Sequence, residues 1–157
     1  MNLEKFDSLH NTALSLVEHY HNDMVDKGGS PYINHLVYVS MHCRNKYSKI
    51  GGLLHDILED TACTPEILSK HNIPTLIIDA IQIVSKKEGE SYDEFIQRII
   101  DSNNIIALEI KYWDLTNNMD LNRLPNVREK DILRVQKRYL PSRMAIEQKL
   151  NELNFSI

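Results

Sequence analysis

Sulfur is scarce in this chain. Only two cysteines, Cys43 and Cys63, occur in 157 residues, with no Cys-x-x-Cys pair. That excludes a disulfide framework, a thiolate zinc site and dithiol redox chemistry. Five glycines and five prolines are too few for a fibrous or low-complexity chain. Basic residues are outnumbered, 18 Lys and Arg against 22 Asp and Glu. The resulting charge of −4 argues against a general nucleic-acid surface. Long apolar runs are also missing. The longest, Ile73 to Val84, is broken by Asp79 and Gln82 and is too short to cross a bilayer. Met1 to Phe6 lacks an apolar signal core, so a cytoplasmic location without membrane association is expected.

What remains is a globular composition, 42% hydrophobic and 25% charged, long enough to close one core. No repeat, low-complexity tract or linker divides it, so residues 1–157 are expected to form a single domain. The periodicity is helical nearly throughout. Leu3, Phe6, Leu9, Ala13, Leu16, Val17, Tyr20 and Met24 predict a long amphipathic first helix. Lys27-Gly28-Gly29-Ser30-Pro31 breaks the chain, and apolar residues resume from Ile33 through Tyr47. A third helix is expected over about Ile50 to Glu59. Thr64-Pro65-Glu66 opens a short helix to Lys70. Ile73, Leu76, Ile77, Ala80, Ile81 and Val84 form a clean stripe. Ser91 and Glu94 make a capping box for a helix to Asp101. Ile105 to Met119 predicts a buried central helix, and about Arg128 to Leu153 a closing one. No alternating apolar–polar segment competes, so the fold class is all-α, a compact helical bundle. Nothing in the sequence fixes the oligomeric state.

Chemistry concentrates in Leu53-Leu54-His55-Asp56-Ile57-Leu58-Glu59-Asp60. On a continuous helix this pattern stacks apolar residues on one side and His55/Asp56 over Glu59/Asp60 on the other. A solvated acidic face is the bland explanation. Against it stand His35, twenty residues earlier, and Asp114, a carboxylate inside the most apolar predicted helix. Asp114 needs a partner, with Lys111 or Arg123 as the candidates. Asn118, one turn later, sits on the same face. Two imidazoles and two carboxylates suit Mn²⁺, Fe²⁺, Zn²⁺ or Mg²⁺ with positions left for water and substrate. Asp56, Glu59, Asp60 and Asp114 in one pocket would repel phosphate unless a divalent cation were bound. The other histidines, His19 and His21 among them, read as surface residues. Trp113 and Tyr112 read as core packing.

His35, His55-Asp56 and Asp114 match the H…HD…D pattern, and the chain resembles the HD-domain metal-dependent phosphohydrolases. Ser30-Pro31-Tyr32-Ile33-Asn34-His35, residues 53–61 and residues 110–119 are more specifically similar to three segments of the hydrolase domain of RelA/SpoT-type enzymes, in a small stand-alone form. The resemblance covers roughly residues 5 to 150. It implies removal of the 3′-pyrophosphate from ppGpp and pppGpp with Mn²⁺, so that the partner is a small nucleotide. It implies His35, His55, Asp56 and Asp114 as metal ligands and Glu59 and Asp60 as the acidic pair acting on water. It places Asn118, Lys27 and Tyr32 on the substrate side. Lys86, Lys87 and Arg98, flanking the capping-box helix, are further candidates for contacting phosphate. Three departures are visible. Asp26 stands where the family has an Arg that stacks on guanine, Leu36 replaces a Pro, and Asp-Arg-Leu-His-Asn has become Asp114-Leu115-Thr116-Asn117-Asn118. Hydrolysis of another nucleotide, such as a nucleoside phosphate or an NADPH-like dinucleotide, is the alternative. A non-catalytic nucleotide-binding module is the remaining one.

Overall fold

The computed structural model describes residues 1–157 and is all-helical, with a single isolated bridge between Val25 and Pro31. Ten helices follow in order: α1 (Leu3–Tyr20), α2 (Ile33–His42), α3 (Lys46–Leu54), α4 (Ile57–Asp60), α5 (Pro65–Lys70), α6 (Thr75–Val84), α7 (Tyr92–Asp101), α8 (Ile105–Asn118), α9 (Glu129–Arg134) and α10 (Leu140–Glu152). A 3₁₀ turn at Leu121–Arg123 follows α8, and a π-helical segment at Val135–Tyr139 joins α9 to α10.

The boundaries follow local chemistry. The Thr64 side chain caps α5 with Pro65 next in line, and Ser91 with Glu94 forms the expected capping box on α7. Asn72, Asn103 and Asn154 end three helices with positive φ, a conformation Asn tolerates at helix C-termini. Helix α8 is the hub. It packs against α2, α3, α6 and α10, and Leu108, Ile110 and Leu115 are fully enclosed around it. One side of the core gathers Leu16, Leu36, Ile50, Leu54, Ile57 and Ile81. The other gathers Val39, Val84, Phe95, Ile99, Ile110 and Ile146.

Several expected spans change. The first helix stops at Tyr20 rather than Met24, and the chain then turns through Asp23 at φ 62°. The apolar run from Ile33 to Tyr47 is two helices, because the Asn45 side chain accepts from Tyr47 N at 2.8 Å and restarts the chain as α3. The closing helix carries the π segment inside it. Leu76 is 41% exposed, displaced from the core by Ile77 and Ile78. Most consequential is the break at His55-Asp56. The imidazole Nδ1–H of His55 bonds the Gly52 carbonyl at 2.8 Å, the group that would otherwise accept the next rung of the helical ladder. The single polar face expected for His55, Asp56, Glu59 and Asp60 is therefore split. His55 is buried, while Glu59 and Asp60 are exposed.

Gly28 is fixed by close approach: a Cβ there would collide with the Arg123 carbonyl oxygen. The turn before α2 is thereby seated on the 3₁₀ turn after α8. Gly28→Ala is expected to destabilise the protein by about 1–3 kcal/mol through forced separation of these segments, measured by urea denaturation.

Candidate metal centre and active-site cleft

Four titratable side chains converge where α2, the α3–α4 break and α8 meet. His35 Nε2 lies 3.3 Å from Asp114 Oδ1 and 3.7 Å from Asp56 Oδ2. His55 Nε2 lies 3.0 Å from Asp56 Oδ2 and 3.8 Å from Asp114 Oδ1. His35, His55 and Asp114 are buried and present ligand atoms all within 4.8 Å of one another.

The bonds behind these groups orient them. A backbone carbonyl can only accept, so His55 Nδ1 donates to Gly52 O. His35 Nδ1 lies 2.7 Å from Asn117 Oδ1, an oxygen that also accepts from the Arg123 guanidinium, so this imidazole too is the donor. With both Nδ1 atoms committed, both Nε2 atoms face the carboxylates, the arrangement that metal-ligating histidines require. His55 Nε2 is buried with no aligned hydrogen-bond partner. Asp114 is held at both oxygens: Lys111 Nζ reaches Oδ2 at 2.7 Å and Asn118 Nδ2 reaches Oδ1 at 2.5 Å. Tyr32 Oη donates to Asp56 Oδ2 at 2.6 Å. These residues fit a divalent cation: nitrogen and oxygen donors, mutual spacings of 3.0–3.8 Å, and a buried imidazole nitrogen without an aligned partner.

Electrostatics point the same way. Burial alone would lower the His55 pKa, but the Asp56 charge and bonds to Asp114 and Asp56 outweigh it and push the imidazole up to about 10. Burial would likewise raise both carboxyls. Instead the His55 charge takes Asp56 down to about 2, and Lys111 holds Asp114 well below the usual carboxylate range. A cavity of about 420 Å³ opens on this cluster, lined among others by Lys27, Tyr32, Glu59, Asp60, Lys111, Asn118 and Arg123. Asp60 is raised by burial and then by the Asp56 and Glu59 charges. Glu59 is tethered by the Lys86 backbone N–H at 2.9 Å.

The architecture around this cluster has a known counterpart. The chain shares its fold with a metazoan SpoT ortholog. That structure, described as a protein that hydrolyzes ppGpp and plays a role in starvation responses, matches with a TM-score of 0.67 at 20% identity over 93% of each chain. No protein-family model and no curated protein matches the sequence.

The structure brings together His35, His55, Asp56, Asp114, Glu59, Asp60, Lys27, Tyr32 and Asn118. It does not bring Lys86, Lys87 or Arg98 into the cleft. Arg98 is consumed elsewhere, bonding Glu90 at 2.6 Å and the carbonyls of Ile83 and Ser85 at the end of α6. Lys86 and Lys87 are exposed, and their backbone N–H groups serve Glu59 and Glu90. Asp26 accepts from Gly28 N and Ser30 N and pairs with Arg123 at 3.2 Å. It thereby builds the turn and carries Arg123 to the cleft wall. Arg123, a candidate partner for Asp114, instead pairs with Asp26 and Asn117, and His21, expected at the surface, is buried against Tyr32. Asn117 gains its role only by meeting His35 across 82 positions, which no local periodicity reveals.

Two outcomes follow. Because His55 carries a proton that a cation must displace, metal binding is expected to release about one proton near pH 7. Affinity should then strengthen about tenfold per pH unit toward 10, as read by calorimetry in buffers of different ionisation enthalpy. Arg98→Ala is expected to lower the melting temperature while leaving metal affinity within twofold of the parent.

Proposed function

We propose that this chain, acting as one catalytic unit, is a metal-dependent phosphohydrolase that removes the 3′-pyrophosphate of guanosine tetra- and pentaphosphate. The observation that carries the reading is the pair of imidazoles, each locked with Nε2 facing two carboxylates, at the floor of a cleft in a fold shared with a ppGpp-hydrolysing protein. His35, His55, Asp56 and Asp114 would hold the ion, and Mn²⁺ suits this donor set. When bound, the ion lowers the pKa of water and polarises a phosphoryl oxygen.

The chain's own residues supply the rest. Asp60, whose carboxyl is raised by burial and by the Asp56 and Glu59 charges, takes the proton from the attacking water. Glu59, anchored on Lys86 N, orients that water. The water oxygen bonds to the phosphorus beside the ribose 3′ oxygen and the P–O3′ bond breaks. Pyrophosphate departs, and the 3′ oxygen recovers a proton. Lys27, Lys111 and Arg123 face the negative charge that develops on the phosphoryl oxygens. Asn118 and Tyr32 hold the two carboxylates and border the substrate. The substrate is a small nucleotide, and no helix is long and apolar enough to cross a membrane. A cytoplasmic site of action accords with a nucleotide substrate.

A second reading, hydrolysis of a different nucleotide, draws support from Asp26. That side chain is committed to the turn and to Arg123, so position 26 offers no platform for a base. A substrate panel scored for phosphate against pyrophosphate release separates the two.

With Mn²⁺ and ppGpp, the protein is expected to release pyrophosphate. His55→Ala and Asp56→Ala should lower turnover more than 1000-fold, on the order expected for loss of an ion that provides the nucleophile. Asp60→Asn should cut kcat by about 10²–10⁴ with metal affinity retained. Absence of metal-dependent turnover on every nucleotide tested would refute the proposal.

A further inference from the structure

His21 lies at the end of α1, 5% exposed, and neither ring nitrogen has a hydrogen-bond partner. Its ring stacks on Tyr32 with centroids 5.6 Å apart and planes 12° from parallel. Tyr32 in turn donates to Asp56 Oδ2, the oxygen that faces both imidazoles of the metal cluster. A cavity of about 440 Å³ adjoins this pair, walled by Val17, Met24, Val25, Pro31 and Ile33 as well as by His21 and Tyr32. Tyr32 also lines the cleft on its other side. The tyrosine therefore stands as a partition between two open volumes. Its ring meets the core and tilts against His35, and the stacked imidazole of His21 supports it on the cavity side.

We infer that His21 is a positioning residue for the metal centre: its ring braces Tyr32 so that the phenol holds Asp56 in the orientation that binds the cation. The inference rests on the metal reading of the preceding sections and not on the identity of the nucleotide. Without the brace, Tyr32 can swing into the cavity, and the carboxylate loses the hydrogen bond that orients it. Removing a partner that orients a ligand typically costs 10- to 100-fold in metal affinity. The planar ring carries this function, since its nitrogens bond nothing. A phenyl group should therefore serve as well.

The test measures Mn²⁺ affinity by calorimetry, with no substrate present, for His21→Ala, His21→Phe, Tyr32→Phe and the double variant His21→Ala/Tyr32→Phe. His21→Ala is expected to weaken binding at least tenfold. His21→Phe should restore it to within threefold and raise the melting temperature, because two unpartnered buried polar atoms are removed. Tyr32→Phe should weaken binding to a similar degree, and the double variant should be no weaker than the weaker single one. Parent-like affinity in His21→Ala would overturn the proposal. So would equal losses in His21→Phe and His21→Ala, or additive losses in the double variant. Should His21→Ala fail to fold, His21→Phe and its combination with Tyr32→Phe decide the matter alone. If the parent binds Mn²⁺ but turns over no nucleotide, the functional proposal fails while this one stands. If the parent binds no Mn²⁺, both fail.

Discussion

The constraint on which this structure depends is the cost of placing two carboxylates and two imidazoles together inside a helical core. Asp114 sits on the helix that packs against α2, α3, α6 and α10, and Asp56 at a break in the chain, each within 4 Å of both histidines. Uncompensated, such charges are strongly disfavoured. The fold answers with Lys111 on one oxygen of Asp114, Asn118 on the other, Tyr32 on Asp56 and a proton on His55. Each answer is partial. The sites that remain open all face one another, which is the condition a divalent cation meets.

The surroundings can be understood as support for that cluster. Helix α8 brings Lys111, Asp114, Asn117 and Asn118 to it within two turns. The turn before α2 is pinned on the far side by Gly28 against the Arg123 carbonyl and by the Asp26–Arg123 pair. Arg123 continues to Asn117, and Asn117 to His35. His35, at the start of α2, is thus oriented by residues more than eighty positions away. The fold that does this is shared with a SpoT ortholog at 20% identity, a level at which the architecture has survived extensive replacement of its side chains.

Much of this was legible in the sequence, for identifiable reasons. The helices with strong apolar periodicity and caps, α5, α7 and α8, appear where those signals place them. Asp114 stood out as a charge in an apolar helix, and Lys111 as its partner three residues away. Other features were hidden because their causes are not local. The break at His55 arises from a side chain competing for a backbone carbonyl, and the spacing of residues 53–60 reads as one continuous helix without that knowledge. Arg98 looks like a phosphate contact until Glu90 and two carbonyls are found to engage all three of its guanidinium nitrogens. His21 carries no motif, and only its burial against Tyr32 distinguishes it from the exposed His19 and His71.

The wide sequence separation of the cluster has a mechanical meaning. Its members come from positions 35, 55, 56 and 114, so an ion held among them cross-links the first, middle and later parts of the chain. It closes loops of about 20 and 60 residues. In the chain-entropy description of cross-links, loops of that size restrict the unfolded ensemble by several kcal/mol. The chain has no covalent means to the same end, since both of its cysteines are buried and unpaired. A cation bound there would act as a reversible staple. Its loss would release the topological restraint that holds three distant segments in register.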